Sequence, residues 1–489
     1  MSNLASVGHT ASASDYTAAD RGRYLVEHLP PGLFRTDDAP PGVPQLGVAW
    51  RVATEPFRLA PSTVEHIASL GAPLLAFYRA LSALYARSAR GTAPGFIAEY
   101  LDVGKPESIV KLARQNRFKS DIQQVIRPDL ILTDDGGYIA SELDSVPGGM
   151  GFVGAMAQTY GELGYATVEE TDGMAREFAA MLGATAQKDR PVVAIVVSDE
   201  SGDYRNELRW LAGRMRELDV AEAHVVMPQD VVFTEEALFV RLEDGREEKI
   251  DVLYRNFELF DLLNVPKQEL MLYAARHNRV KLTPPPKAPL EEKSSFALLH
   301  HPALAALWKK ELGDDVFARL VSIFPQTWVI DPRPLPPQAA IIGLVAGGRP
   351  VSDWMALEAL GKSERDYVVK PSGFSELAWG SRGVRVANDL TREQWHEALS
   401  SALVAYAKTP HILQRFHKGR RVTVDYYDRN ADTVRTMDGR VRLCPYYFVV
   451  GDRTRLGGIL ATIAPADKRL IHGMSDAVMA PCATHESGA

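Results

Sequence analysis

The run Arg127-Pro-Asp-Leu-Ile-Leu-Thr-Asp-Asp-Gly-Gly-Tyr-Ile-Ala-Ser-Glu-Leu-Asp constrains the fold more than any other stretch of the chain. Two apolar segments flank Asp134-Asp-Gly-Gly, and glycine supplies the positive φ that a tight hairpin turn needs. With the turn centred on Asp135 and Gly136, Asp129 faces Glu142 across the pair. Asp144 lies two residues beyond Glu142 and shares its face. Like charges opposed across strands repel, so this arrangement calls for compensation. A hard divalent cation held by oxygen ligands suits Asp129, Glu142 and Asp144, and Mg²⁺ is the natural choice. A register shifted by two would set Asp129 against Asp144 and keep the convergence. The plain alternative is a solvated hairpin with scattered surface acids.

Pro147-Gly-Gly-Met-Gly-Phe-Val-Gly follows at once and contains a literal GxGxxG at Gly149, Gly151 and Gly154. Glu169 and Glu170 stand roughly where a ribose-binding acid would, so an NAD(P)-dependent oxidoreductase is the rival reading. Its context is poor. A first dinucleotide-binding strand is apolar on both faces, whereas Tyr138–Asp144 carries Ser, Glu and Asp and belongs to a hairpin. These glycines are better suited to letting the backbone pass close to a substrate or cation.

A second informative stretch is Tyr367-Val-Val-Lys-Pro-Ser-Gly-Phe-Ser-Glu-Leu-Ala-Trp-Gly-Ser-Arg-Gly-Val. An apolar strand ends in Lys370, a compact cation suited to phosphate oxygens. Gly373, Gly380 and Gly383 follow in a loop whose amides could approach phosphates closely. His411-Ile-Leu-Gln-Arg-Phe is an apolar strand with one amide side chain, Gln414, as an adenine-binding hinge requires. Neither a P-loop nor a kinase catalytic-loop signature is present.

The remaining features bound the class. With 489 residues, 46% hydrophobic and 24% charged, the chain has the composition of a globular protein of two or three subdomains. A net charge of −7 and the lack of a basic run argue against nucleic-acid binding. Cys444 and Cys482 fit no CxxC spacing, which reads as a reducing compartment. The N-terminus has no apolar signal-peptide core, and the longest apolar stretch noted, Ala339 to Ala346, is too short to span a bilayer. A cytoplasmic protein without a membrane partner is expected, and a homodimer is compatible with it. Residues 1–20 read as a disordered tail and 21–119 as a helical region. Residues 120–282 read as the hairpin plus a small α/β unit with an open parallel sheet. Residues 283–489 read as the unit bearing Lys370.

In combination these stretches resemble the ATP-grasp enzymes, most closely the glutathionylspermidine synthase branch, in which the metal-binding strands precede the nucleotide loop. Arg127-Pro-Asp129 and Glu142-Leu-Asp144 match its acidic motifs, with Asp144 in place of the usual Asn. Glu292-Lys293-Ser-Ser-Phe and Val369-Lys370-Pro371 match its two lysine motifs. The resemblance implies a mixed α/β ATP-grasp fold with ATP and Mg²⁺ clamped between subdomains. It implies an ATP-dependent carboxylate–amine ligase working through an acyl phosphate on small-molecule or peptide substrates. Arg127, Arg442 and Arg382 are then the candidates for steadying the intermediate. Tyr446, Tyr447 and His472–Asp476 are candidates for the acceptor side. A non-catalytic ATP-binding relative is the second alternative.

Overall fold

The computed structural model describes residues 16–30, 32–33, 51–144, 146–242, 244–378, 380–471 and 476–485. The expected tail up to residue 15 and residues 472–475 of the proposed acceptor stretch therefore lie outside the described residues.

A sheet of eight strands forms the centre. Its path runs Arg51–Val52, Val478–Thr484, Arg453–Pro465, Thr433–Val450, Val125–Leu132, Tyr138–Asp144. Arg421–Asp428 also pairs with Thr433–Val450, and Phe57–Leu59 with Val478–Thr484. The 18-residue strand Thr433–Val450 organises this sheet. It carries Pro445, a residue that removes a ladder hydrogen bond and is unusual in a central strand. The recorded pairs with the neighbouring strand are Leu443↔Leu130 and Tyr447↔Ile126 with none between, which sets Pro445 against Pro128. Two residues without N–H groups thus face each other, and the ladder opens there. Arg127 and Asp129 on one strand and Cys444 and Tyr446 on the other flank the gap.

The region expected to be helical, 21–119, contains the helices Ala18–His28, Pro61–Ala68, Gly71–Ala89, Phe96–Asp102 and Glu107–Ala113. It also supplies two strands that run parallel to Val478–Thr484, so the two ends of the chain meet in one sheet. The stretch Pro61–Ala89, 29 residues containing an 18-residue window of mean hydropathy 1.4, is long and apolar enough to cross a membrane by length and composition. Among the described residues it exceeds Ala339 to Ala346, the stretch expected to be the longest apolar one. Its apolar window is 67% buried inside the protein, as in a core helix. Phe77 on this helix stacks on Trp308 and meets Phe324 edge-on, which ties the N-terminal helices to the later ones.

The expected open parallel sheet is present, in the order Lys281–Thr283, Val252–Asn256, Val192–Val197, Glu222–Val226. Its central strand is apolar throughout because both faces are covered. Val193, Ile195 and Val197 pack into one core, while Ala194 and Val196 pack into another. A second four-stranded sheet, antiparallel, joins Thr327–Val329, His411–Arg415, Tyr367–Pro371 and Arg385–Val386. Helix Arg392–Ala405 buries Trp395 and Leu399 against it.

Candidate functional site

The hairpin forms as its residues dictate. Gly136 has φ 85° and its amide donates to the Thr133 carbonyl at 3.1 Å. Asp129 does face Glu142, and Arg127 faces Asp144. The route to that pairing differs from a simple two-residue turn. Nearer the turn the pairs are Leu130↔Ala140 and Ile131↔Ile139, with a register shift between Asp129 and Leu130. Ser141 is the extra residue of this β-bulge, and its hydroxyl donates to the Asp129 carbonyl at 3.2 Å.

Cations of the chain itself compensate the gathered carboxylates. Asp129 meets Arg442 at 2.7 Å and Arg127 at 3.2 Å. Arg127 also holds Asp144 at 2.7 Å, and Lys293 holds Glu142 at 2.9 Å. Among the described residues no group of three or more His, Cys, Asp or Glu side chains is placed to hold a metal ion. The expected three-carboxylate ligand set is therefore not preformed; arginine and lysine occupy the positions facing it. Burial raises the Asp129 carboxyl, but Arg442 and then Arg127 overcome this and hold it below its ordinary value. The Asp144 carboxyl ends up raised, with burial as the main cause. Burial also pushes the Cys444 thiol up to about 12. Both cysteines are free and buried.

Lys370, 7% exposed, ends its strand beside the bulge and donates to the Ser141 carbonyl at 3.2 Å. Burial lowers its ammonium pKa, Glu142 opposes the shift, and Lys293 adds to it. Lys293 caps helix Ser294–His300 and also reaches the Ala378 carbonyl at 3.3 Å. The nearby Lys287 lies elsewhere, buried against Ser82, Lys119 and Asp121 of the N-terminal region.

These groups surround two adjoining cavities. The larger, about 380 Å³, is lined by Arg127, Asp129, Glu142, Asp144, Lys293 and Arg442, with Gly373 and Gly380 from the glycine-bearing loop. The smaller, about 90 Å³, is lined by Lys370, Gln414, Val368 and Phe416, and shares Asp129, Glu142 and Arg442 with the first. Gln414 is buried and donates to the Thr327 hydroxyl at 3.2 Å. Tyr446 reaches the larger cavity, its hydroxyl donating to the Gly148 carbonyl at 2.7 Å. Tyr447 does not; its hydroxyl donates to the Ile67 carbonyl in the core. Arg382 lines neither cavity and pairs with Glu200 at 3.0 Å, half-exposed. Gly383 has a packing role, since a Cβ there would lie 2.5 Å from the Pro371 ring.

The GxGxxG segment also serves packing. Gly149 (φ 95°) caps helix Met150–Glu162. A Cβ on Gly151 would stand 1.9 Å from the Glu207 carbonyl oxygen, and one on Gly154 2.7 Å from the Trp210 ring. The helix N-terminus, where a dinucleotide phosphate would sit, is filled by the buried Glu207 carboxylate. It accepts from the amides of Gly149 at 2.6 Å and Phe152 at 3.0 Å. The preceding strand lies in an antiparallel hairpin. The oxidoreductase alternative thus loses both its phosphate cradle and its strand context. Gly151→Ala is expected to cost about 3 kcal/mol, the upper end of overpacking penalties, read from the denaturant midpoint. A variant as stable as the native chain would contradict this packing.

Sequence reasoning missed one wall of the larger cavity. Glu258 lines it from the loop after strand Val252–Asn256, and Asp203 and Glu291 from the short 3₁₀ helices Gly202–Tyr204 and Ala288–Glu291 that follow two of the other parallel strands. Burial, reinforced by Glu291 and Asp144, raises the Glu258 carboxyl well above its ordinary value. Arg255 pairs with Glu291 at 2.6 Å. The available signal was position: ligands bind beyond the carboxyl ends of parallel strands, and Glu258 follows such a strand by two residues.

Central sheet, flanking sheets and the helices packed on them make up a mixed α/β fold. It is shared with a glutathione synthetase-like effector from Globodera pallida, solved in its apo form, at TM-score 0.56 and 14% identity over 95% of each chain. A Methylobacillus flagellatus KT protein bearing a provisional gamma-glutamylcysteine synthetase name aligns at TM-score 0.36 and 10% identity. That alignment covers 83% of this chain and 86% of the other. No protein-family model matches the chain, and no curated protein matches it.

Proposed function

We propose that the chain is an ATP-dependent carboxylate–amine ligase of the ATP-grasp type. The observation that carries this proposal is the convergence of Lys293 and Lys370, from separate segments, on the cavities that hold Arg127, Arg442 and the hairpin carboxylates. The apolar residues and Gln414 of the smaller cavity suit an adenine ring. Lys370 and Lys293 then face the phosphates. ATP supplies the phosphoryl group that activates the substrate carboxylate as an acyl phosphate, with ADP as the leaving group; an amine then attacks the acyl carbon and displaces inorganic phosphate.

The donor set fits Mg²⁺ in a particular way. Glu142 and Asp144 offer hard oxygen ligands, and Mg²⁺ binds through one or two carboxylates plus substrate phosphates rather than in an all-protein cage. Arg127 and Arg442 each keep a buried Nε without a partner. These donors suit a carboxylate or the charge developing on it, because arginine makes forked contacts with such groups.

ATP with Mg²⁺ at 100 times its Kd is expected to add about 2.7 kcal/mol of stability, visible as a rise in melting temperature. ADP release, screened with amino acids, small peptides and amines and followed by mass spectrometry of the product, identifies the substrates. ATP binding without ADP release across that screen would mark a non-catalytic relative. Absence of any ATP response would end the proposal.

A further inference from the structure

A residue of the N-terminal region, far from every motif in the sequence, is buried against the segments that carry Lys293 and Lys370. Lys105 follows helix Phe96–Asp102, and its ammonium lies 2.5 Å from Glu292. Both side chains are buried, at 0% and 1% exposure. Glu292 is the junction of three segments. Its second oxygen accepts from the Ser372 hydroxyl, and it also accepts from the Phe374 amide at 3.2 Å. Ser372 in turn receives the Lys293 amide on its carbonyl at 2.8 Å and the Ser294 amide on its hydroxyl at 3.0 Å. The Lys105 ammonium lies 5.7 Å from the centre of the Phe374 ring. Gly373 passes so close that a Cβ would stand 2.5 Å from the Glu291 carbonyl.

Glu292 is adjacent in sequence to Lys293, and Ser372 lies two residues beyond Lys370. The network therefore clasps together the two backbones that carry the cavity lysines. A buried ion pair is a costly way to gain stability, since desolvation offsets most of its attraction, but it fixes geometry well when its remaining hydrogen bonds are made. Here the Glu292 carboxylate makes them to the glycine-bearing loop, at the Ser372 hydroxyl and the Phe374 amide, and Ser372 carries the link on to the start of helix Ser294–His300.

We propose that Lys105 and Glu292 are positioning residues that set Lys293 and Lys370 at the spacing required by a nucleotide triphosphate. This rests on the nucleotide-binding reading above, and it gives the N-terminal region a role in the site. Neither residue touches the nucleotide. They act through the Ser372 clasp on the two lysines.

The test compares ATP with adenosine, because the lysines concern only the phosphates. Calorimetry on the full chain measures both ligands for the native protein, Lys105→Met and the double variant Lys105→Met/Glu292→Gln. The double variant removes both charges and retains a carbonyl acceptor for the Phe374 amide, while the Ser372 hydroxyl can accept from the new amide NH₂, so it keeps the protein folded if the single change does not. Misplacing the lysines is expected to weaken ATP about 10-fold while adenosine affinity stays unchanged. Lys105→Arg is expected to restore most of the ATP affinity. Equal losses for ATP and adenosine, or native ATP affinity in the double variant, would overturn the proposal. Failure of the native protein to bind ATP would instead reject the ligase reading itself.

Discussion

Replacing Lys370 by alanine is expected to abolish the rise in melting temperature that ATP with Mg²⁺ gives the native chain. The ligand-free protein should lose little. Lys370 is buried with its ammonium pKa lowered, and its recorded hydrogen bond is to the Ser141 carbonyl, so truncation removes a costly buried cation rather than a tight ion pair. Its worth is expected to appear when phosphate oxygens arrive. A preorganised donor of this kind is worth about 100-fold or more in turnover, by analogy with other charge-stabilising groups in water-excluded sites. ADP release should fall by that order, and the ligand-free denaturation curve should hardly move. A variant that keeps the native ATP shift would remove Lys370 from the site. Lys287→Ala serves as the contrast. Its amine anchors the N-terminal region, so stability should fall while the ATP response of the folded protein persists.

The largest effect on stability is expected from Asp129→Ala. Asp129 is 5% exposed and lies between Arg442 and Arg127, so truncation leaves two guanidinium groups buried without their shared counter-charge. Breaking one partner out of a buried pair typically costs about 3–5 kcal/mol. Urea denaturation should show this as a lower midpoint with an unchanged slope. The pH dependence follows from the same geometry. The folded carboxyl titrates below its ordinary value of about 3.9, so its contribution is fully present above that pH and is lost as pH falls through the lower, folded value. The native chain should thus lose stability on acidification below pH ~4, and Asp129→Ala should lack that part of the loss. An Asp129→Ala variant with native stability would mean that the two arginines find other partners.

The two substitutions separate functions that share one location. Lys370 is held ready for a ligand, whereas Asp129 pairs with two arginines of the chain itself. Arg127 is shared between Asp129, Asp144 and the Gly148 carbonyl, so a ligand carboxylate would enter a network with partners already in place. The packing of Glu207 onto the Gly149 and Phe152 amides fixes the same turn from behind.

Local chemistry determined much of this protein. The Asp-Gly-Gly turn makes the hairpin the sequence calls for, but Asp129 comes to face Glu142 only through the bulge at Ser141, which the two-residue period of a strand does not give. The apolar run Val192–Val197 could only be a strand covered on both faces. The lysine ending Tyr367–Pro371 and the lysine opening helix Ser294–His300 were legible as cations at element ends. Three things lay beyond the sequence because they depend on contacts between distant segments. The long strand Thr433–Val450 carries a proline that argues against a central position, and only its neighbour's own proline makes that position tolerable. The glycines after the hairpin looked like a ligand cradle, yet a carboxylate 58 residues away fills it. The gathered acids asked for a positive partner, and local sequence could not distinguish a metal ion from Arg127, Arg442 and Lys293. Charge compensation is fixed by distance in space, and only the tertiary structure sets that distance.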